Sequence, residues 1–145
     1  GSMLTENTAI LPYLGRRFGL IPKDDIGQAR ALSIIGFYAS TVHPAHSHIG
    51  RPERFASDPA AYPNIKETGL KNFHGYLKQI DGMLAGRDWM GGEYSVLDAY
   101  TFVFYVWGHR RELPVKDLKN YTAHKERMLK RPAVQKVAED EKVTF

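Results

Sequence analysis

Apolar positions along this chain recur at spacings of three and four, and no stretch alternates with period two long enough to argue for a strand. The clearest run holds Leu70, Phe73, Leu77, Ile80 and Leu84, with Lys66, Lys71, Lys78 and Gln79 on its flanks; it predicts an amphipathic helix from Asn64, closed by Gly86. From Val96 to Trp107 almost every residue is apolar or aromatic, so no face of that helix should prefer water and it is expected in the middle of the domain. It is too short to cross a bilayer, which takes ~20 apolar residues. Ser95 and Asp98 precede the run as S-x-x-D, a reciprocal cap: the hydroxyl accepts from the backbone N–H of Asp98, and the carboxylate reaches back to the N–H of Ser95. Such a motif taken alone serves stability.

Weaker patterns flank this rod. Glu6 to Leu14 is a short apolar segment closed by Gly15 to Gly19, no more than a fraying turn on its own evidence. Pro22 suits the first turn of a second helix, with Asp24 and Asp25 favoured there by the helix dipole. Ile26, Ser33, Phe37 and Ser40 fall on one side of it and Ala31, Ile34, Ile35, Tyr38 and Val42 on the other, a helix packed on two sides. It should end near His43, because the residue before Pro44 is pushed out of the helical region. Pro44 to Pro63 shows no sustained period and reads as a long connection with a helical turn near Glu53 to Ala56, of a length usually found beside a site. Leu118, Tyr121, Met128 and Leu129 mark a further helix ending at Arg131, and Pro132 opens a last short one through Glu139. The reading is all-α: a bundle of five to six helices around a buried central helix.

Composition narrows the chemistry. A length of 145 residues suits one core. The chain has no cysteine, which excludes a disulfide frame, a thiolate nucleophile and a cysteine-based zinc site. Basic residues are interspersed with acidic ones, as in Lys23-Asp24-Asp25 and Lys125-Glu126-Arg127, so the net charge of +4 reads as a mixed solvated surface and not as a nucleic-acid footprint. Gly1 and Ser2 ahead of Met3 look like a scar of tag cleavage. With no charged-then-apolar leader and no long apolar segment, a cytoplasmic protein without a membrane partner is expected.

The motifs then carry a resemblance. G-G-E-Y-S-V-L-D-A-Y, followed some thirty residues later by R-M-L-K-R-P-A-V-Q-K-V-A-E, resembles the C-terminal helical domain of cytosolic glutathione transferases, and E-N-T-A-I-L-P-Y-L resembles the last helix of that family's thioredoxin-like domain. F-Y-A-S-T-V-H-P and D-A-Y-T-F-V-F-Y-V-W-G are most similar to the bacterial beta class. The resemblance divides the chain into a start through residue 3, a remnant of the thioredoxin-like domain with its linker over 4–19, and a helical domain over 20–145. It implies that Glu6 and Asn7 meet the γ-glutamyl end of glutathione, although Asn7 stands where the family has Ser. It also implies that Phe37, Tyr38, His43 and Trp107 line the pocket for a hydrophobic electrophile, with Pro44 in place of the usual Lys. Glutathione enters as co-substrate, with no other cofactor. The Tyr, Ser or Cys that activates its thiol belongs to the part of that domain not represented here. Without it the thiol stays near a pKa of about 8.5, so the chain alone is expected to be a poor or inactive transferase.

Two other readings compete. One is a non-enzymatic ligand-holding or interaction module, whose apolar surface, bare without a thioredoxin-like domain, would drive self-association, expected as a homodimer. The other is a zinc site at His43, His46 and His48, which lacks both helical spacing and the general-base Glu of H-E-x-x-H; no metal site is assigned.

Overall fold

The computed structural model describes residues 3–145; Gly1 and Ser2, expected above to be a tag scar, lie outside the described residues. Every regular element among them is helical, as the spacing of apolar positions predicts. Among the described residues seven α-helices form, two of them joined end to end into one rod, and the chain divides into two compact units: one runs through Tyr76, the other spans Leu77–Phe145.

In the first unit, α1 (Asn7–Phe18) is three turns long where the pattern suggested a fraying turn. Pro12 lies inside it and removes a single ladder bond, Gly15 is buried within it, and the stop is Gly19, whose φ of 66° only glycine adopts freely. Helix α2 (Asp25–Phe37) begins later than Pro22 suggested, because the Asp24 carboxylate accepts from the Gly27 N–H at 2.7 Å and so fixes the N-cap.

The largest correction lies at Pro44. The rod does not end there: after α2 the backbone widens into one π turn, Tyr38–Val42, and continues as α3 (His43–Gly50). His43 keeps helical angles, φ −63° and ψ −45°, and its N–H reaches back five residues to the Tyr38 carbonyl. The wide turn makes room for the Pro44 ring where a regular α turn would press it against the carbonyl four residues back. Much of the predicted connection is therefore helix, followed by 3₁₀ turns at Pro52–Arg54 and Pro59–Ala61. Helix α4 (Tyr62–Met83) starts a little before Asn64. Phe73, Leu77, Ile80 and Leu84 are buried as their spacing predicts, but Leu70 is exposed and Gly69 takes the inner position. A Cβ on Gly69 would stand 2.7 Å from that of His48, so α3 and α4 approach as only glycine allows.

In the second unit, α5 (Val96–Arg110) buries ten of its 15 residues, including Tyr100, Phe102, Phe104 and Tyr105. One narrow stripe departs from the expectation of a helix dry all round: Ala99, Val103 and Arg110 are exposed and Trp107 is half-buried along it. Helix α6 (Lys119–Leu129) lays Tyr121, His124, Lys125 and Met128 inward, and the Tyr121 hydroxyl donates to the Thr101 carbonyl of α5. The N-cap Leu118 has no side chain to offer; Asp81 of α4 instead accepts from the Tyr121 N–H at 2.8 Å. Phe102, Val106 and Met128 form a cluster that Trp89, Tyr94 and Val134 of α7 (Pro132–Asp140) cover. Phe145 returns to this unit, its ring 4.9 Å from Lys125 Nζ. No helix among the described residues is long and apolar enough to cross a membrane.

Candidate functional site

The π turn gathers three of the residues singled out in the sequence. Phe37 ends α2, Tyr38 opens the wide turn and His43 follows it, so all three flank or begin the irregular stretch of backbone ahead of Pro44. Phe37 is half-buried between Tyr38, 5.8 Å away centroid to centroid, and Tyr76, 6.0 Å away and edge-on. Tyr38 is fully enclosed, its ring tilted against that of Phe37. His43 is half-buried, and its pKa is pushed below the usual 6.5 by desolvation first and by the Arg54 guanidinium second. At neutral pH it is therefore an uncharged ring able to accept one hydrogen bond and donate another. Ser40 spends its hydroxyl on the Gly36 carbonyl at 2.8 Å.

The other two histidines do not join His43. His48 Nδ1 is bonded to the Pro44 carbonyl at 2.6 Å and its ring stacks on Phe55, while His46 packs on Phe73. No group of three His, Asp or Glu side chains able to hold a metal forms among the described residues.

Glu6 and Asn7 stand at the start of α1, both exposed. Glu6 has a φ of 70°, a conformation that costs a non-glycine residue of order 1 kcal/mol, while its carbonyl takes the N–H groups of Ala9 and Ile10 at 2.9 Å. Its carboxylate caps nothing. Backbone strain is thus held beside two side chains left open to solvent.

In the second unit Trp107 is half-buried and edge-on to Phe104 at 5.5 Å. At the other end of α5 the Ser95 and Asp98 side chains form the reciprocal cap geometry: Ser95 Oγ accepts from the Leu97 N–H at 3.3 Å, and Asp98 Oδ2 accepts from the Ser95 N–H at 2.8 Å. Asp98 is fully buried and does more than cap, since its Oδ1 accepts from the Met90 N–H at 2.8 Å and from His124 Nε2 at 2.9 Å. The carboxylate fixes the tautomer: Nε2 carries the proton, and the buried Nδ1 meets no hydrogen-bonding group among the described residues. His124 was not singled out in the sequence, and no local signal could have found a partner 26 residues away. An open cleft of about 300 Å³ lies between the α4–α5 loop and α6, lined in part by Arg87, Asp88, Asn120 and Arg127. Arg127 is already committed there to the carbonyls of Arg87 and Asp88, and none of the sequence candidates reaches it.

Comparison with solved structures gives these parts a family. A sphingomonad glutathione S-transferase complexed with glutathione is 30% identical and superposes with a TM-score of 0.83, covering 99% of this chain and 71% of that one. The chain belongs to the glutathione S-transferase family. A bacterial beta class glutathione S-transferase from Sphingomonas chungbukensis is 27% identical over the same shares, with a TM-score of 0.84. A glutathione transferase homologue from Sulfitobacter with bound glutathione shares the fold at 24% identity and a TM-score of 0.88, covering 99% of this chain and 70% of that one. No sequence-family model matches the chain. This transferase-family chain therefore spans about seven tenths of each of these relatives.

Proposed function

We propose that this chain supplies the electrophile-facing wall of a glutathione transferase site, with Phe37 and His43 of the first unit presented to a hydrophobic electrophile and Tyr38 packed against Phe37; the family resemblance gives Trp107 of the second unit an electrophile-facing role as well. Glu6 and Asn7 meet the γ-glutamyl end of glutathione, and the strain at Glu6 with its unengaged carboxylate supports that role. The observation that carries the reading is the match over 99% of the chain to a relative that is itself complexed with glutathione. There is no cysteine among these 145 residues and Tyr38 is fully enclosed, which leaves His43 as the side chain the π turn could present to a thiolate. Thiol activation is therefore assigned to a residue outside them, and the chain by itself turns over slowly or not at all, in a cytoplasmic setting.

The test mixes the pure chain with glutathione and a chloronitrobenzene and follows conjugation by absorbance. No rate above buffer is expected, with rate restored by a separately produced thioredoxin-like half from a relative. Turnover by the chain alone would remove the assignment of thiol activation elsewhere, and failure of either half to bind the aromatic would remove the wall.

A non-enzymatic module of the same fold is the second reading. It is favoured by Tyr13 and Phe18 on α1 and Ile26 on α2, exposed at 47%, 63% and 62%. Such side chains suit contact with a second chain, a homodimer included. Sedimentation that shows a monomer at all concentrations would count against it.

A further inference from the structure

After α7 the chain doubles back onto α5 and α6 of the second unit. Glu141 closes the helix and Lys142 stands at φ 51°. Two backbone bonds seal the turn, from the Lys142 N–H to the Glu139 carbonyl at 3.0 Å and from the Val143 N–H to the Ala138 carbonyl at 2.8 Å. A left-handed stop of this kind favours glycine, so a lysine there carries strain. Beyond the turn Val143 packs on the cluster of Phe102, Val106 and Met128. The Phe145 ring settles among Phe102, Tyr105 and His109, at 6.1, 6.0 and 5.5 Å centroid to centroid. No backbone hydrogen bond among the described residues holds Thr144 or Phe145, and the seated ring stays 39% exposed. The seat itself is firmly held. Phe102 and Tyr105 are buried, and the Tyr105 ring is fixed by a 3.0 Å bond between its hydroxyl and Thr122 Oγ1 and by edge-on contact with Tyr121 at 5.2 Å. Lys125 is buried too: its ammonium is paired with the Glu126 carboxylate and lies 4.9 Å from the Phe145 ring centroid and 5.8 Å from that of Tyr105.

We propose that residues 143–145 form a detachable strap, and that the seat under Phe145 binds a small, neutral, electron-rich aromatic such as a phenol when the strap lifts. The strained lysine at the hinge and the incomplete burial of the ring keep the hold of the strap weak. When Phe145 leaves, the Lys125 ammonium loses a ring face to which a desolvated cation is attracted, and an aryl ligand restores it where an aliphatic one does not. The ligand is neutral because that ammonium already has its carboxylate in Glu126: an acid would find no unpaired charge there and would meet a like one. The seat is separate from the electrophile wall, since Tyr105 and His109 each stand two residues from Trp107, about 200° round α5.

The experiment titrates the full chain, and a chain ending at Lys142, with p-cresol and with its saturated counterpart 4-methylcyclohexanol, following the His109 ring protons by NMR. The shortened chain is expected to bind p-cresol roughly tenfold more tightly than the full chain, because the strap leaves the seat open in only a minor fraction of molecules. It should bind the saturated alcohol about two- to fivefold more weakly than p-cresol. Two variants of the full chain keep the test independent of how well the shortened one folds. Lys142→Gly relieves the turn and should weaken p-cresol binding about three- to fivefold. Phe145→Leu gives up the ring face and should strengthen it about two- to fivefold. Equal p-cresol affinity in the full chain and the folded shortened chain, or no response to either variant, overturns the strap. Failure of the folded shortened chain to bind p-cresol, or equal binding of the saturated alcohol, overturns the aryl seat. Each of these results leaves the electrophile wall standing, because conjugation by the reconstituted halves tests that separately.

Discussion

Replacing Asp98 by Ala should cost far more than replacing Ser95, although the two share one cap. The carboxylate is fully buried and takes bonds from the N–H groups of Met90 and Ser95, from the Ser95 hydroxyl at 3.2 Å and from His124 Nε2. Asp98→Ala leaves two backbone donors and one imidazole donor inside the fold without acceptors, each worth roughly 1–3 kcal/mol. These losses share one small cavity and do not add, so about 3–5 kcal/mol is expected in total. Ser95→Ala keeps all three of those bonds and loses the hydroxyl's 3.2 Å bond to Asp98 and its 3.3 Å contact to the Leu97 N–H, together a loss of about 1 kcal/mol. Urea unfolding read through Trp89, whose ring is 5.8 Å from His124, measures both. With a slope of about 2 kcal/mol per molar, the midpoint should fall by about 2 M for Asp98→Ala and by about 0.5 M for Ser95→Ala. A Ser95→Ala loss equal to that of Asp98→Ala would refute the claim that the carboxylate, and not the hydroxyl, anchors α5. So would an Asp98→Ala loss under 1 kcal/mol.

Three further outcomes follow from single positions. A Cβ on Gly108 would stand 2.6 Å from Leu77 Cδ1 and 2.7 Å from Val115 Cγ1, so Gly108→Ala should destabilise by about 1–3 kcal/mol, whereas Gly75→Ala, with open space around it on α4, should stabilise by about 0.5–1 kcal/mol; thermal unfolding of the pair checks both. Because the folded state holds His43 below its unfolded pKa of 6.5, the folded chain binds fewer protons there, so stability is full above about pH 6.5 and declines as pH falls through that value towards the folded pKa. His43→Gln should flatten this part of the stability profile, measured by urea midpoints between pH 7.5 and 5. Pro44→Ala restores an N–H that can close a regular turn, so the five-residue bond from the His43 N–H to the Tyr38 carbonyl should be replaced by a four-residue one in its crystal structure; persistence of the π turn would show that something other than the proline sets it.

What could be read from the residues alone was whatever is decided within a turn or two of chain. The all-helical character, the buried run of α5, the start of α7 at Pro132 and the inward Phe73, Leu77, Ile80 and Leu84 are set by periodicity and by proline and cap chemistry acting locally. The local rule failed where two elements press together. Leu70 gave up its inward place to Gly69 because α3 lies too close for a side chain, and the rule that ends a helix before proline yielded to a rod that bends its hydrogen-bond ladder to continue. The same distinction divides the candidate site. Phe37, Tyr38 and His43 were marked by a family pattern, yet the wide turn between them is not written in any one of them. Phe55 stacks back on His48 seven residues before it, Asp81 caps a helix 40 residues on, and His124 completes the bonding of Asp98 from 26 residues away. Such partners cost chain entropy to bring together and are held by packing that sums over the whole unit, so no short window of sequence can contain the reason for them.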